Sequence, residues 1–343
     1  MLQQLISGGL IGFVFGFIMQ RTRFCMTGGF RDMYIAKNNR LFYAFLIAIA
    51  VQSVGVLALI QLGIVSNPYE DYSLVATVIG SFVFGIGIIM AGGCATGTWY
   101  RAGEGLIGSW IALFFYMISA AAMKFGALKS VNNWLSQYGV INDNIAGQLG
   151  ISVWVLVALL VVVTAVLVIR DLRKPSIKVA TLPPKYSGVR HYLFEKTYHK
   201  YWAGFAIGII SLIAWPASEA TGRAGGLGIT TPSANIISFA VTGQTKLINW
   251  GVFLVLGILV GSYVAAKGSN EFRWRLPDIQ TLGKSTIGGI FMGVGAAWAG
   301  GCTIGNGLTA TAVMSSKGWI SLLFSILGVW FMSYFVFVRP SRK

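Results

Sequence analysis

The chain has 343 residues, of which 55% are hydrophobic and 10% charged, and its formal net charge is +16. Soluble domains carry about 25% charged residues, so this deficit, together with a succession of long apolar runs, excludes a soluble globular protein and indicates a polytopic membrane protein. The positive charge collects in short loops between those runs and no groove-reading motif accompanies it, which argues against nucleic acid as a partner.

Met1–Ser7 has no basic residue ahead of the first apolar run and so does not resemble a cleaved leader. Leu5–Met19 is a short first span, followed by Arg21, Arg23 and Cys25. Leu41–Gly63, Leu74–Ala91, Leu106–Phe125 and Leu149–Ile169 are the second to fifth. A polar segment, Arg170–Lys200, then reads as a loop stiffened by Pro183-Pro184. Trp202–Pro216, Trp250–Ala266, Thr286–Ala299 and Trp319–Val338 complete nine predicted spans. Ala234–Val241 is too short to cross and is predicted to be re-entrant or interfacial. Basic residues fill Arg31–Arg40, Arg170–Lys200, Lys267–Lys284 and Arg339–Lys343, whereas Ser66–Ser73 carries Glu70 and Asp71 and nothing basic. The positive-inside rule then places the C-terminus in the cytoplasm and, with an odd number of spans, the N-terminus outside.

One motif recurs. Gly92-Gly93-Cys94-Ala95-Thr96-Gly97 ends the third span, Gly300-Gly301-Cys302-Thr303-Ile304-Gly305 ends the eighth, and Phe24-Cys25-Met26-Thr27-Gly28 closes the first. The chain has three cysteines, and all three occupy this position. Glu219-Ala220-Thr221-Gly222, after the sixth span, reads as a fourth copy with Glu in place of Cys. Spans one and three run in the direction opposite to spans six and eight. This predicts an inverted internal repeat, with halves 1–126 and 201–343 joined by a linker span and loop at 149–200, in one membrane domain. Such repeats place their site where broken helices meet near the midplane.

Paired glycines can end a helix and turn the chain. Within a bilayer such breaks are tolerated only where protein or water satisfies the freed backbone groups. Gly93, Gly97, Gly301 and Gly305 are therefore site candidates beside the thiols. Gly80, Gly85 and Gly87, which align with Gly288, Gly293 and Gly295, read instead as close-packing positions. A single buried cysteine is ordinarily just a small apolar residue, but recurrence at one repeat position marks Cys25, Cys94 and Cys302 as a substrate relay. A neutral thiol offers a weak S–H donor without a fixed charge in the membrane. Arg23, Arg101, Glu104 and Glu219 flank the breaks, as do Arg21 and Arg223, and ionisable groups at that depth are functional candidates. The cysteines lack the Cys-x-x-Cys spacing of a metal or redox site, and no nucleotide-binding motif is present. No cofactor or metal is expected.

The stretches Arg23–Asp32, Gly92–Gly105 and Gly300–Gly307 resemble the YeeE/YedE family of sulfur-compound transporters, and the likeness runs over essentially the whole chain. The resemblance implies a bacterial inner-membrane importer of the thiosulfate ion for sulfur assimilation and cysteine synthesis, with a narrow centre lined by Cys25, Cys94 and Cys302. It also implies a small cytoplasmic TusA-like sulfur-carrier partner of the YeeD or TsuB type. Some members of the family are proposed to move selenium compounds. A competing reading is a membrane thiol enzyme that passes persulfide sulfur to the carrier, but His191 and His199 both fall in the polar loop, so no histidine base is expected near a cysteine. A transporter, not an enzyme, is the expected function.

Overall fold

The computed structural model describes residues 2–174, 187–196 and 198–340. Pro183-Pro184 lies outside them. Apolar runs of spanning length become helices because only a helix satisfies its own backbone in lipid. In chain order the helices are α1 (Leu2–Thr22), α2 (Met26–Ile35), α3 (Arg40–Gln61), α4 (Leu74–Met90), α5 (Ala95–Gly103) and α6 (Ile107–Lys124). There follow α7 (Lys129–Ser136), α8 (Ile145–Leu149), α9 (Val153–Leu172), α10 (Gly188–Arg190), α11 (Lys200–Glu219) and α12 (Thr230–Thr242). The last three are α13 (Trp250–Gly268), α14 (Ile279–Trp298) and α15 (Ser316–Ser333), with a π-helical turn at Gly305–Ala310 before α15. One two-residue strand pair, β1 (Tyr72–Ser73) with β2 (Val140–Ile141), ties the α3–α4 loop to the loop after α7.

Among the described residues nine long helices lie at the nine predicted spans, and the chain is an all-α multi-pass membrane protein. Eight candidate spans among the described residues are long and apolar enough to cross a membrane. α14 is not among them, because Gln280, Thr281, Lys284, Ser285 and Thr286 dilute its first turns. α1 runs past the predicted Met19, through Gln20 and Arg21. The apolar stretch around Ala234–Val241 belongs to α12, a thirteen-residue helix too short to span. The starts of α1 and α13 share one face with the end of α11, since Trp250 Nε1 donates to Ser7 Oγ and Gln4 Nε2 to the Thr221 carbonyl. We call this the N-terminal face. The end of α1 and the loop after α13 meet at the opposite face through Arg23 and Glu271, and the end of α9 meets the start of α3 through Asp171 and Arg40.

Glycine sets the packing. On α1, a Cβ at Gly8, Gly12 or Gly16 would lie 2.6, 2.1 or 2.2 Å from the carbonyl oxygens of Trp250, Leu254 and Ile258 on α13. Gly204 and Gly208 of α11 meet the Ala44 and Ala48 carbonyls of α3 in the same way. α4 and α14 cross through Gly80 against Gly295 and Gly87 against Gly288, while Gly85 seats on α15 and Gly293 on α6. Exchanging α1 with α11, α3 with α13, α4 with α14 and α6 with α15 carries α1–α13 onto α11–α3 and α4–α15 onto α14–α6, and α4–α14 onto itself. α9 stands outside this exchange and packs mainly on α3.

Candidate functional site

Four breaks interrupt the bundle, and in each the chain restarts as a helical segment. Cys25 is the N-cap of α2 and Cys94 that of α5. The Cys25, Cys94 and Cys302 carbonyls each accept the N–H four residues on, from Gly29 at 3.0 Å, Thr98 at 2.8 Å and Asn306 at 2.8 Å. Each cysteine thus fills the same slot, the residue whose carbonyl starts the new helix. Two residues earlier the backbone turns left-handed, at Arg23 (φ 53°), Gly92 (φ 71°) and Gly300 (φ 70°). Glycine adopts that conformation freely. Arg23 holds it as a non-glycine residue tied down by two ion pairs.

The fourth break departs from the predicted copy. Glu219 does not stand in for a cysteine: it is the last residue of α11, and its Oε1 accepts the Ser66 N–H at 2.7 Å on the N-terminal face. The chain runs ten residues further to Ile229, whose carbonyl accepts Ser233 N–H at 3.0 Å and which caps α12. The starts of the new segments converge. Trp99 of α5 donates to Ser233 Oγ of α12 at 3.0 Å, and Thr309 Oγ1 donates to the Leu227 carbonyl at 2.8 Å.

The thiols lie inside this convergence, at 3%, 1% and 2% exposure for Cys25, Cys94 and Cys302. A Cβ built on Gly97 would sit 3.2 Å from Cys25 Sγ and 3.5 Å from Cys94 Sγ, so glycine there keeps the space between two sulfurs. The Cys25 and Cys94 sulfurs thus face the same point of α5, and Cys302 lies within electrostatic reach of Cys94. Gly97 N–H donates to Cys94 Sγ at 3.4 Å. Gly301 leaves room for Asn306, whose Oδ1 would be 2.4 Å from a Cβ there. Gly93 faces ordinary contacts beginning at 3.4 Å, and Gly305 faces open space.

Charge surrounds the thiols on both sides. Toward the opposite face, Arg23 pairs with Glu104 at 2.5 Å and with Glu271 at 2.9 Å, and Arg21 lies 3.5 Å from Glu271. Arg101 Nη1 donates to the Gly92 carbonyl, clamping the left-handed turn beside Cys94. Toward the N-terminal face, a cavity of about 170 Å³ is lined by Arg223, Gly226, Gly301, Cys302, Asn306 and Thr309, among others. Arg223 donates to the Gly226 carbonyl at 2.7 Å and stacks over Trp250. Lys317 lies beside Gly300 as Arg101 lies beside Gly92, and Lys124 donates to Thr231 Oγ1 at 2.7 Å. None of these three cations has an ion pair among the described residues. Lys124 and Lys317 were not legible as site residues, because each closes or opens an apolar run where a snorkelling lysine is ordinary. No group of three or more His, Cys, Asp or Glu suited to a metal occurs among the described residues. His191 pairs with Glu195 at 2.9 Å, and His199 accepts the Tyr201 N–H as the cap of α11.

The arrangement sets three buried thiols between a cavity lined by Arg223 and a cluster of ion pairs at Arg23, Glu104 and Glu271. Comparison with known proteins identifies the family. The thiosulfate transporter TsuA of Escherichia coli (strain K12) is 58% identical over all of this chain and 97% of its own length. TsuA of Spirochaeta thermophila is 32% identical over 97% of this chain and 99% of its own. The probable transporter YedE of Escherichia coli (strain K12) is 40% identical over 101 residues, 29% of this chain and 25% of its own. The family described as sulphur transport matches residues 21–331. The chain belongs to this sulphur transport family.

Proposed function

We propose that the chain carries thiosulfate across the bacterial inner membrane through a constriction formed by Cys25, Cys94 and Cys302, supplying sulfur for cysteine synthesis. The observation that carries the reading is that all three thiols are buried in the same slot at equivalent helix breaks, in a chain whose full-length relatives are named thiosulfate transporters. The packing exchange described above supports two inverted halves, 1–126 and 201–343, around the linker α9. With the N-terminus periplasmic and the C-terminus cytoplasmic, the vestibule of Arg223, Lys124 and Lys317 faces the periplasm and draws the anion in. The terminal sulfur passes from Cys302, which lines the cavity, to Cys94 and then Cys25. Conduction needs such successive weak sites, since one tight site would trap the ion. Exit requires the Arg23–Glu104–Glu271 cluster to open toward the cytoplasm, where a TusA-like carrier would meet the basic loops and take up the sulfur. The decisive experiment is growth on thiosulfate as sole sulfur source in cells lacking other importers. Growth only with this protein is expected, and no growth would overturn the reading.

The vestibule carries its own prediction. Lys317→Gln removes one cation beside Gly300, at the rim of the cavity, so the KM for thiosulfate uptake is expected to rise roughly threefold to tenfold at low ionic strength and less at high salt. Initial uptake rates over a thiosulfate series, at two salt concentrations, check it. An unchanged KM at both would remove Lys317 from the entry path.

A further inference from the structure

Each cysteine break carries a threonine that the thiol passage leaves unexplained. Thr27 and Thr96 stand two residues after Cys25 and Cys94, and Thr303 directly follows Cys302. All three are buried, and among the described residues none of their hydroxyls has a hydrogen-bond partner. Their helical position explains why. A threonine within a helix satisfies its hydroxyl on a carbonyl one turn behind, as Thr98 does on Ala95 at 2.7 Å and Thr311 on Gly307 at 2.8 Å. A first turn has no helical turn behind it. The unpartnered hydroxyls of Ser53, Thr164, Ser211 and Ser333 differ, because each has a helical turn behind it and such a carbonyl one rotation away.

The break without a cysteine supplies the contrast. There Thr230 Oγ1 accepts the Tyr116 hydroxyl at 2.9 Å, and Thr231 Oγ1 accepts Lys124 Nζ. The unpartnered hydroxyl therefore accompanies the thiol and not the break. Keeping such a group dry and unpaired costs free energy, and at all three thiols it points to a ligand with hard acceptor atoms.

We propose that Thr27, Thr96 and Thr303 donate O–H hydrogen bonds to the sulfonate oxygens of thiosulfate while the neighbouring thiols hold its terminal sulfur. This rests on the reading of the chain as a thiosulfate carrier. Thiosulfate has one soft end and three hard oxygens. A thiol beside a hydroxyl addresses both, whereas sulfate offers only oxygens and hydrosulfide only sulfur. The threonines are thus specificity-determining residues, and each station selects the whole ion.

The test uses the full chain in proteoliposomes, with Thr→Val and Thr→Ser variants at each position and a triple Thr→Val variant. Thr96→Val is expected to raise the KM for thiosulfate by about tenfold, the loss of one hydrogen bond to an anion, and Thr96→Ser to restore it. The thermal unfolding temperature of the valine variants should stay level or rise, because an unpaired buried group has been removed. A triple valine variant with the wild-type KM overturns the proposal, as does a loss of uptake that tracks a fall in unfolding temperature or fails to recover with serine. Wild-type protein that moves no thiosulfate in the same vesicles would instead overturn the transport reading itself.

Discussion

Cys94→Ala is expected to lower thiosulfate uptake by about tenfold to a hundredfold, the range for losing a hydrogen bond to a charged group, while leaving the protein folded. Cys94 is the middle thiol of the proposed path: its sulfur and that of Cys25 flank Gly97, and Cys302 lies within its electrostatic range. Its cap on α5 is a weak one, a sulfur accepting Gly97 N–H at 3.4 Å, and alanine fills most of the same small apolar volume. Folding should therefore survive although the relay loses its middle station. Cys94→Ser should fall nearer to alanine than to wild type. Its oxygen is a strong N-cap acceptor on a shorter bond, so it turns to the backbone and presents a hard group to a soft sulfur. Cys302→Ala should act differently, raising KM more than it lowers the maximal rate, because Arg223 still lines the cavity and gathers the anion there. Initial-rate uptake of labelled thiosulfate, normalised to protein in the membrane, measures all of these. Near-normal transport by the alanine variants at Cys25, Cys94 and Cys302 alike would end the thiol passage.

The long helices were legible because an apolar run of spanning length has one stable outcome in lipid. α14 is the instructive exception: its helix is as long as the others, but polar residues and glycine lower its hydropathy, and the apolar run showed only its second part, from Thr286, while the helix begins at Ile279. The cysteine breaks were legible because repetition of glycine and thiol carries more information than either residue alone. The fourth break was misplaced. Ala220-Thr221-Gly222 matches Ala95-Thr96-Gly97 in residue type, yet a match of small residues says nothing about helix phase, and α11 continues up to Glu219. Pro232, in the first turn of α12, was the better signal, since proline is tolerated there and not further along. The lysines of the vestibule were hidden because their meeting is a product of folding. Lys124 and Lys317 are 193 positions apart in number and come together only when α6 and α15 both flank the α4–α14 crossing.

That crossing is where the second large effect is expected. Gly288→Val should destabilise the protein by about 3 kcal/mol or more, the upper range for overpacking a tight interior, and should abolish uptake with it. A Cβ at Gly288 would lie 2.3 Å from the Ala91 backbone nitrogen, and one at Gly295 would lie 2.4 Å from that of Phe84. Backbone cannot rotate aside as a side chain can, so α4 and α14 would have to separate. These two helices end at Met90 and Trp298, each four residues before its cysteine, so separating them also shifts Cys94 relative to Cys302. Gly283→Ala is the matched control on the same helix: a Cβ there meets nothing within 4 Å, and alanine is the better helix former by roughly 1 kcal/mol. Thermal unfolding in detergent and the yield of folded protein should therefore move in opposite directions for the two variants. If Gly288→Val unfolds at the wild-type temperature, the helices have slack at their closest approach, and the thiols are not held together by glycine packing.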